Sequence, residues 1–361
     1  MKKEKVPAIF IRRFYTVHNT KKSPILAVEN LVTSFPIKGG VFKKKVGEVQ
    51  AVSEIDFEIY PGETMGLVGE SGCGKSTVAR TIIGLEKSKS GKILFDGWDL
   101  TKISKSDMKT LRRDIQLIFQ DPYSSLHPKM TVQEIIQEPW KTHPGVVNKT
   151  NWENEVIKLM EMVGLNPDNK NNYPHQFSGG QCQRINIARA LALKPKLIIC
   201  DESVSALDVS IQAQIINLLQ DLQKELGIAY LFISHDLSVV RHICNKVAVM
   251  YLGKIVEIGE KEEVFGAPSH PYTQALLSSI PVPNPWDVYN QEEIILSGDL
   301  PSPANPPSGC RFRTRCWKAQ EICKEKEPDL IESSCGHLSA CYFAEVNSSY
   351  TQNLKQTIKE S

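Results

Sequence analysis

The run Gly69-Glu70-Ser71-Gly72-Cys73-Gly74-Lys75-Ser76-Thr77 fits the pattern G-x-x-x-x-G-K-[ST] without a mismatch. An apolar stretch, Met65 to Val68, precedes it, and a helix-compatible stretch, Val78 to Leu85, follows it. A chance glycine-rich turn would share the composition but not the strand–loop–helix order. Glycines let successive backbone N–H groups curl around an anion, and the helix that follows adds the positive end of its dipole. In such a loop Lys75 reaches the β- and γ-phosphates of a nucleotide, and the Ser76 hydroxyl ligates Mg²⁺. All nine residues are candidate nucleotide-binding positions.

Outward from the loop, the chain alternates short apolar runs with helical stretches. Ile25 to Phe35 and Val49 to Tyr60 read as strands, with PIKGGVFKKKVGE between them as a basic loop. Lys92 to Phe95 and Ile115 to Phe119 read as further strands. From about Pro122 to Gly180 the pattern is helical, as in Val132 to Trp140 and Trp152 to Val163. Three strongly apolar runs follow, Leu197 to Cys200, Ala229 to Ile233 and Val247 to Leu252. Short apolar runs separated by helices predict an α/β fold with a mainly parallel sheet covered by helices.

The composition of the 361 residues, 41% hydrophobic and 23% charged, is that of an ordinary globular protein. A net charge of +2 gives no global field to attract nucleic acid. No apolar run approaches the roughly 20 residues that span a bilayer. The start, MKKEKVPAIFIRRFYTVHNTKK, is basic, with an apolar core too short for a signal peptide and no cleavage site. A cytosolic protein with a basic extension over residues 1–24 is expected.

Two further signals sharpen the chemistry. Leu197 to Glu202 is an apolar strand ending in two acids, Asp201 and Glu202. A buried strand would deliver Asp201 rigidly as a Mg²⁺ ligand and Glu202 as the general base for an attacking water. Ser178-Gly179-Gly180-Gln181, within FSGGQCQR, lies about a hundred residues after the phosphate loop and just before that strand. A serine hydroxyl and glycine N–H groups at a helix start make a second anion site.

This order of motifs resembles the ATP-binding-cassette (ABC) ATPases, whose signature is LSGGQ; Phe177 replaces the leucine. The resemblance covers about Leu26 to Gly266. It implies a phosphate-loop NTPase fold in which a mainly parallel sheet is joined by an antiparallel β region and a helical subdomain at about 122–180. It implies that the signature serves the nucleotide of a second subunit in a head-to-tail dimer. Gln120 matches the Q-loop glutamine, a contact for Mg²⁺ or the water. Asp208, in Ser205-Ala206-Leu207-Asp208, matches the D-loop, and His235, in ISHD, the switch histidine. An aromatic stacking on adenine is expected upstream, with Phe35 and Phe42 as candidates and Tyr60 behind them. Ser203 stands where the family usually has proline, a change expected to loosen the loop after the two acids.

The stretch 267–346 narrows the family. His270-Pro271-Tyr272-Thr273-Gln274-Ala275-Leu276-Leu277, Pro303 and GCRFRTRC (Gly309 to Cys316) look like the tail of oligopeptide/dipeptide importer ATPases. FPIKGGVFKKK and FSGGQCQR resemble the F-type subunit, the partner of a D-type subunit. The implied function is the ATPase motor of a membrane importer for di- or oligopeptides, peripheral at the cytoplasmic face. The implied partners are a second, D-type ATPase, two transmembrane permease subunits and, indirectly, an extracytoplasmic binding protein. Nickel and other small-solute importers use related ATPases. A soluble cassette ATPase is the remaining alternative, disfavoured by a single cassette and a short helical insert.

Five of the nine cysteines crowd into this tail. Cys310, Cys316, Cys323 and Cys341 have the spacing C-x5-C-x6-C-x17-C, unlike the C-x2-C pairs of zinc ribbons. A [4Fe–4S] cluster, a zinc site and free thiols are all open to such a set. The family resemblance points to [4Fe–4S] on these four. Cys335 and His337 are left over as substitutes in a zinc site. The final stretch, 347–361, is a polar tail.

Overall fold

The computed structural model describes residues 23–39, 44–280, 294–333 and 337–345. Phe42 and Cys335 lie outside them. Strands β1 (Leu26–Gly39) and β2 (Lys44–Ile59) open the chain, then β3 (Thr64–Val68) and helix α1 (Lys75–Ile82). Next come β4 (Ser90–Phe95), β5 (Trp98–Asp99), α2 (Lys105–Leu111) and β6 (Ile115–Ile118). A helical region holds α3 (Val132–Thr142), α4 (Trp152–Met162) and α5 (Gly179–Leu191). The chain then alternates β7 (Leu197–Asp201), α6 (Val209–Leu226), β8 (Ala229–Ser234), α7 (Leu237–Ile243) and β9 (Lys246–Tyr251). It continues with β10 (Lys254–Glu260), α8 (Lys261–Gly266) and α9 (Pro271–Ser278). Short elements end it, α10 (Ile322–Glu325), β11 (Ile331–Glu332) and β12 (Leu338–Ser339).

The larger sheet has the order β11-β12-β10-β9-β3-β8-β7-β6. Its heart, β9-β3-β8-β7-β6, is parallel, and β10, β12 and β11 extend one edge with antiparallel pairs. Period-2 burial splits these strands between two cores. On β7, Ile198 and Cys200 pack with the helical region, while Leu197 and Ile199 face the β1–β2 side. A strand buried on both faces reads as an unbroken apolar run, as Leu197 to Cys200 does. The second sheet, β2-β1-β4-β5, is antiparallel.

The helical region is fixed by local chemistry. Thr131 and Glu134 form a capping box that starts α3. Ile135, Ile136, Trp140, Val156 and Met160 then turn inward to one core. The Trp140 indole N–H donates to the Ala192 carbonyl at 2.7 Å and so ties α3 to the end of α5.

One expectation is overturned. PIKGGVFKKKVGE is not a loop throughout: β1 and β2 stay paired from Pro36↔Glu48 to Gly39↔Lys44. The outer part of this ribbon has no apolar alternation to announce it. Polar ties hold it instead, because the Glu48 carboxylate accepts from Ser34, Lys45 and Lys89. These bonds hold Glu48 well below the usual carboxylate range, at about 2.

Candidate functional site

Parallel neighbours end at one edge of a sheet, and this edge collects the predicted groups. Val68 ends β3 opposite Ser234, Asp201 ends β7 opposite Ile233, and Ile118 ends β6 opposite Cys200. The loops that follow carry Gly69–Gly74, Glu202, His235 and Gln120. Sites in open parallel sheets form at the carboxyl ends of the strands.

The phosphate loop folds tightly. Gly69 and Gly74 have φ of 149° and 111°, and a Cβ on either would run into the carbonyl of Met250 or Ala51. The loop ends in α1, whose first residue is Lys75. Lys75 is 4% exposed, and its Nζ donates to the carbonyls of Gly69 (2.7 Å) and Glu70 (3.0 Å). These bonds aim the ammonium across the loop. The Ser76 hydroxyl donates to Oδ1 of Asp201 at 2.8 Å. Burial pushes the Asp201 carboxyl up, and the neighbouring charge of Glu202 adds to this, against the Ser76 bond. A hydroxyl beside an acid whose charge is poorly solvated is an all-oxygen set of the kind Mg²⁺ takes.

Three predicted side chains converge on one atom. Oε2 of Glu202 accepts from Gln120 Nε2 at 3.0 Å and lies 3.5 Å from Nδ1 of His235. Glu202 has φ of 50°, a left-handed conformation uncommon away from glycine. Its N–H donates to the Ile233 carbonyl at 3.0 Å, which locks the turn. Backbone held in this region concentrates at functional sites. Ser203 is buried rather than loose, and its carbonyl accepts from Gln183 Nε2 at 2.7 Å. Gln183 carries no signal of its own in the sequence, and its role is visible only once α5 packs beside β6 and α6 and brings it to the Ser203 carbonyl.

Ser178 caps α5 in a capping box: Gln181 Oε1 accepts from Ser178 N at 2.9 Å, and Ser178 Oγ accepts from Gln181 N at 3.4 Å. Ser178 and Gln181 are exposed, Gly179 is half-buried, and Gly180 is buried where α5 meets Ile211 of α6. Asp208, exposed, precedes α6. Among the described residues no hydrogen bond joins this set to the phosphate loop. Phe35 sits half-buried on β1 opposite Val49. Tyr60 is occupied elsewhere, with its hydroxyl on Glu58 and Lys246 over its ring at 5.2 Å.

Cys310, Cys316, Cys323 and Cys341 line a single pocket with Phe312 and Tyr342. Burial pushes the thiols of Cys310, Cys316 and Cys341 up to about 11, and the neighbouring cysteines add to it. Among the described residues no three His, Cys, Asp or Glu side chains converge as a single metal ion requires. His337 is not a spare ligand. Its Nε2 lies 2.5 Å from Oε1 of Glu257 on β10, and both side chains are wholly buried.

The C-terminal segment reaches the nucleotide loop itself. Arg315 Nη1 lies 3.0 and 2.9 Å from the two carboxylate oxygens of Glu70, and the Tyr272 hydroxyl accepts from the Glu70 N–H at 2.9 Å. Nothing in the sequence ties Arg315 to a residue 245 positions earlier.

Family comparison agrees with this geometry. Residues 52–205 match the family model described as ABC transporter, and residues 256–323 that described as oligopeptide/dipeptide transporter, C-terminal region. The chain is 53% identical over 319 residues to the oligopeptide transport ATP-binding protein AppF of Bacillus subtilis, covering 88% of this chain and 97% of that one. It is 52% identical over 328 residues to OppF of Haemophilus influenzae, covering 90% and 98%. Among solved structures, the ATP-binding cassette MJ0796, a dimer in a post-hydrolysis state bound to ADP and Pi, superposes with a TM-score of 0.58 at 27% identity, covering 65% of this chain and 98% of that one. The structure of cbiO1 from Clostridium perfringens superposes with a TM-score of 0.58 at 30% identity, covering 68% and 91%. With both regions matched in one chain, this protein belongs to the ABC transporter family, among the ATP-binding subunits of oligopeptide/dipeptide transporters.

Proposed function

We propose that the chain is the ATP-hydrolysing motor subunit of a membrane importer for di- and oligopeptides. The observation that carries this reading is the meeting of Gln120 and His235 at Oε2 of Glu202, on the same sheet edge as Ser76 and Asp201. In this reading Glu202 takes the proton of the water that attacks the γ-phosphate. Gln120 orients the carboxylate, and His235 steadies the charge that develops. Lys75 and the loop N–H groups hold the β- and γ-phosphates. Ser76 and Asp201, with Gln120 nearby, would hold Mg²⁺, which supplies electrostatic stabilisation of the phosphoryl oxygens. Phe35 and Phe42 are the proposed adenine neighbours.

Ser178–Gln181 and Asp208 would serve the nucleotide of a second cassette subunit, a D-type paralogue, in a head-to-tail pair. The exposure of Ser178, Gln181 and Asp208 supports that, as does the lack of a described hydrogen bond from the set to this chain's own loop. No described helix is long and apolar enough to cross a membrane. The importer reading calls for two separate permease subunits, with this chain peripheral at their cytoplasmic face and an extracytoplasmic binding protein delivering cargo.

Cys310, Cys316, Cys323 and Cys341 would hold a [4Fe–4S] cluster that staples the segment. Four thiols line one pocket, the number and type of ligand that such a cluster takes. Iron and acid-labile sulfide analysis of anaerobically purified protein tests it: four irons per chain are expected, and stoichiometric zinc would overturn it.

Uptake of labelled di- and oligopeptides, with nickel in parallel, in cells carrying wild-type protein or Lys75→Ala tests the function. Loss of peptide uptake alone is expected. Loss of nickel uptake with peptide uptake intact would move the cargo to metal.

A further inference from the structure

Glu70 places a carboxylate within a loop built to receive polyphosphate. Such a charge opposes the ligand unless it is neutralised or held aside. The three polar groups of Glu70 each have a partner, and two partners come from the C-terminal segment. The carboxylate bonds to Arg315 through both oxygens, and the N–H bonds to Tyr272. The third, the carbonyl, accepts from Lys75. The contacts are sheltered: the Arg315 and Glu70 side chains are 11% and 27% exposed, and Tyr272 is wholly buried.

Both partners are held by packing. Tyr272 lies against Tyr251 and Phe312, with ring centroids 4.7 and 5.4 Å away. The Arg315 N–H donates to the Phe312 carbonyl at 3.0 Å, and the Tyr251 hydroxyl sits beside its guanidinium. Phe312 itself lines the thiol pocket, and Arg315 adjoins Cys316.

We propose that Arg315 and Tyr272 are positioning residues for the phosphate loop: they neutralise and hold Glu70 so that its charge does not oppose the bound triphosphate. Nucleotide affinity is thereby set in part by the segment that carries the cysteines. The proposal rests on the nucleotide-binding reading of the loop.

The test is binding of a fluorescent ATP analogue with Mg²⁺ to the full chain. Arg315→Gln removes the charge and keeps a polar side chain. It is expected to raise Kd about tenfold, which is about 1.4 kcal/mol. Adding Glu70→Gln to that variant removes the stranded carboxylate and is expected to restore Kd to within about twofold of wild type. The loss in Arg315→Gln should also shrink at high salt, since a freed charge at a solvent-facing loop is screened. A role in packing alone would not be rescued by Glu70→Gln and would not respond to salt. An unchanged Kd in Arg315→Gln, or a loss that persists in the double variant, overturns the proposal.

Should circular dichroism show Arg315→Gln unfolded, Glu70→Gln alone decides. It removes the negative side chain and frees the Arg315 charge beside the loop, so it is expected to bind the analogue more tightly than wild type, and unchanged or weaker binding overturns the proposal. Lys75→Ala is the control for the underlying reading. If it binds as wild type does, the loop assignment fails and the inference falls with it.

Discussion

Replacing His337 with alanine should break the wholly buried contact that fastens β12 to β10. Nε2 of His337 lies 2.5 Å from Oε1 of Glu257. A carboxylate can only accept, so Nε2 carries the proton in this contact. Glu257 keeps donors in Ser269 N at 2.7 Å, Ser269 Oγ at 2.8 Å and His270 N at 3.2 Å, but loses the partner able to carry positive charge. Removing one member of a buried charged pair costs about 3–5 kcal/mol, because the other is stranded. A whole domain is stable by only about 5–15 kcal/mol.

The pH dependence gives a second check. Burial is the largest influence on Glu257 and opposes its charge, but the bond to His337 and the charge of that imidazole help outweigh it. The carboxyl therefore lies below its ordinary 4.5. A lowered folded pKa adds stability that is present above the unfolded value and is lost as pH falls through the folded one. Without His337 burial is less opposed, the carboxyl rises, and mild acid neutralises the stranded charge. The penalty of His337→Ala, read by urea unfolding followed by circular dichroism, should thus be several kcal/mol at pH 7 and clearly smaller near pH 4.5. A cost below about 1 kcal/mol at pH 7 would refute the reasoning, as would a cost equal at both pH values.

Other changes test the nucleotide site. Glu202→Gln should lower ATP hydrolysis by at least about a hundredfold, the usual scale for a lost general base, with analogue affinity within about twofold; wild-type turnover with the partner subunits present would end the general-base assignment. Gly74→Ala should weaken analogue binding more than tenfold (~1.4 kcal/mol), since its Cβ would meet the Ala51 carbonyl at a φ of 111°; an unchanged Kd would show that the loop can relax. Trp140→Phe removes the bond to the Ala192 carbonyl and should cost about 1–3 kcal/mol in urea unfolding, whereas a neutral result would mean water replaces the indole.

What the sequence reveals about this site depends on how local each signal is. The phosphate loop, the acids ending β7 and the histidine after β8 each announce themselves within a few residues. Their convergence does not, because it depends on which strands lie side by side. Only the order β3-β8-β7-β6 brings Gln120 and His235 to Glu202. The outer β1–β2 ribbon was illegible for another reason. Its pairing rests on polar ties to Glu48, and binary patterning sees apolar alternation alone. Strand β12 is two residues long, too short for any pattern, and is fixed by a histidine whose partner lies 80 positions away.

The order in which the chain is made gives the β10–β12 pairing a further meaning. β10 leaves the ribosome with one side paired to β9 and the other bare until Leu338 and Ser339 arrive. Over that interval a row of unpaired peptide groups faces solvent, beside an acid, Glu257, that still lacks its histidine. Exposed edges of this kind recruit other strands. Nascent chains stalled before residue 337 should therefore be the form most prone to aggregate and to need chaperones. This side of β10 is thus completed only by residues made about 80 positions after it.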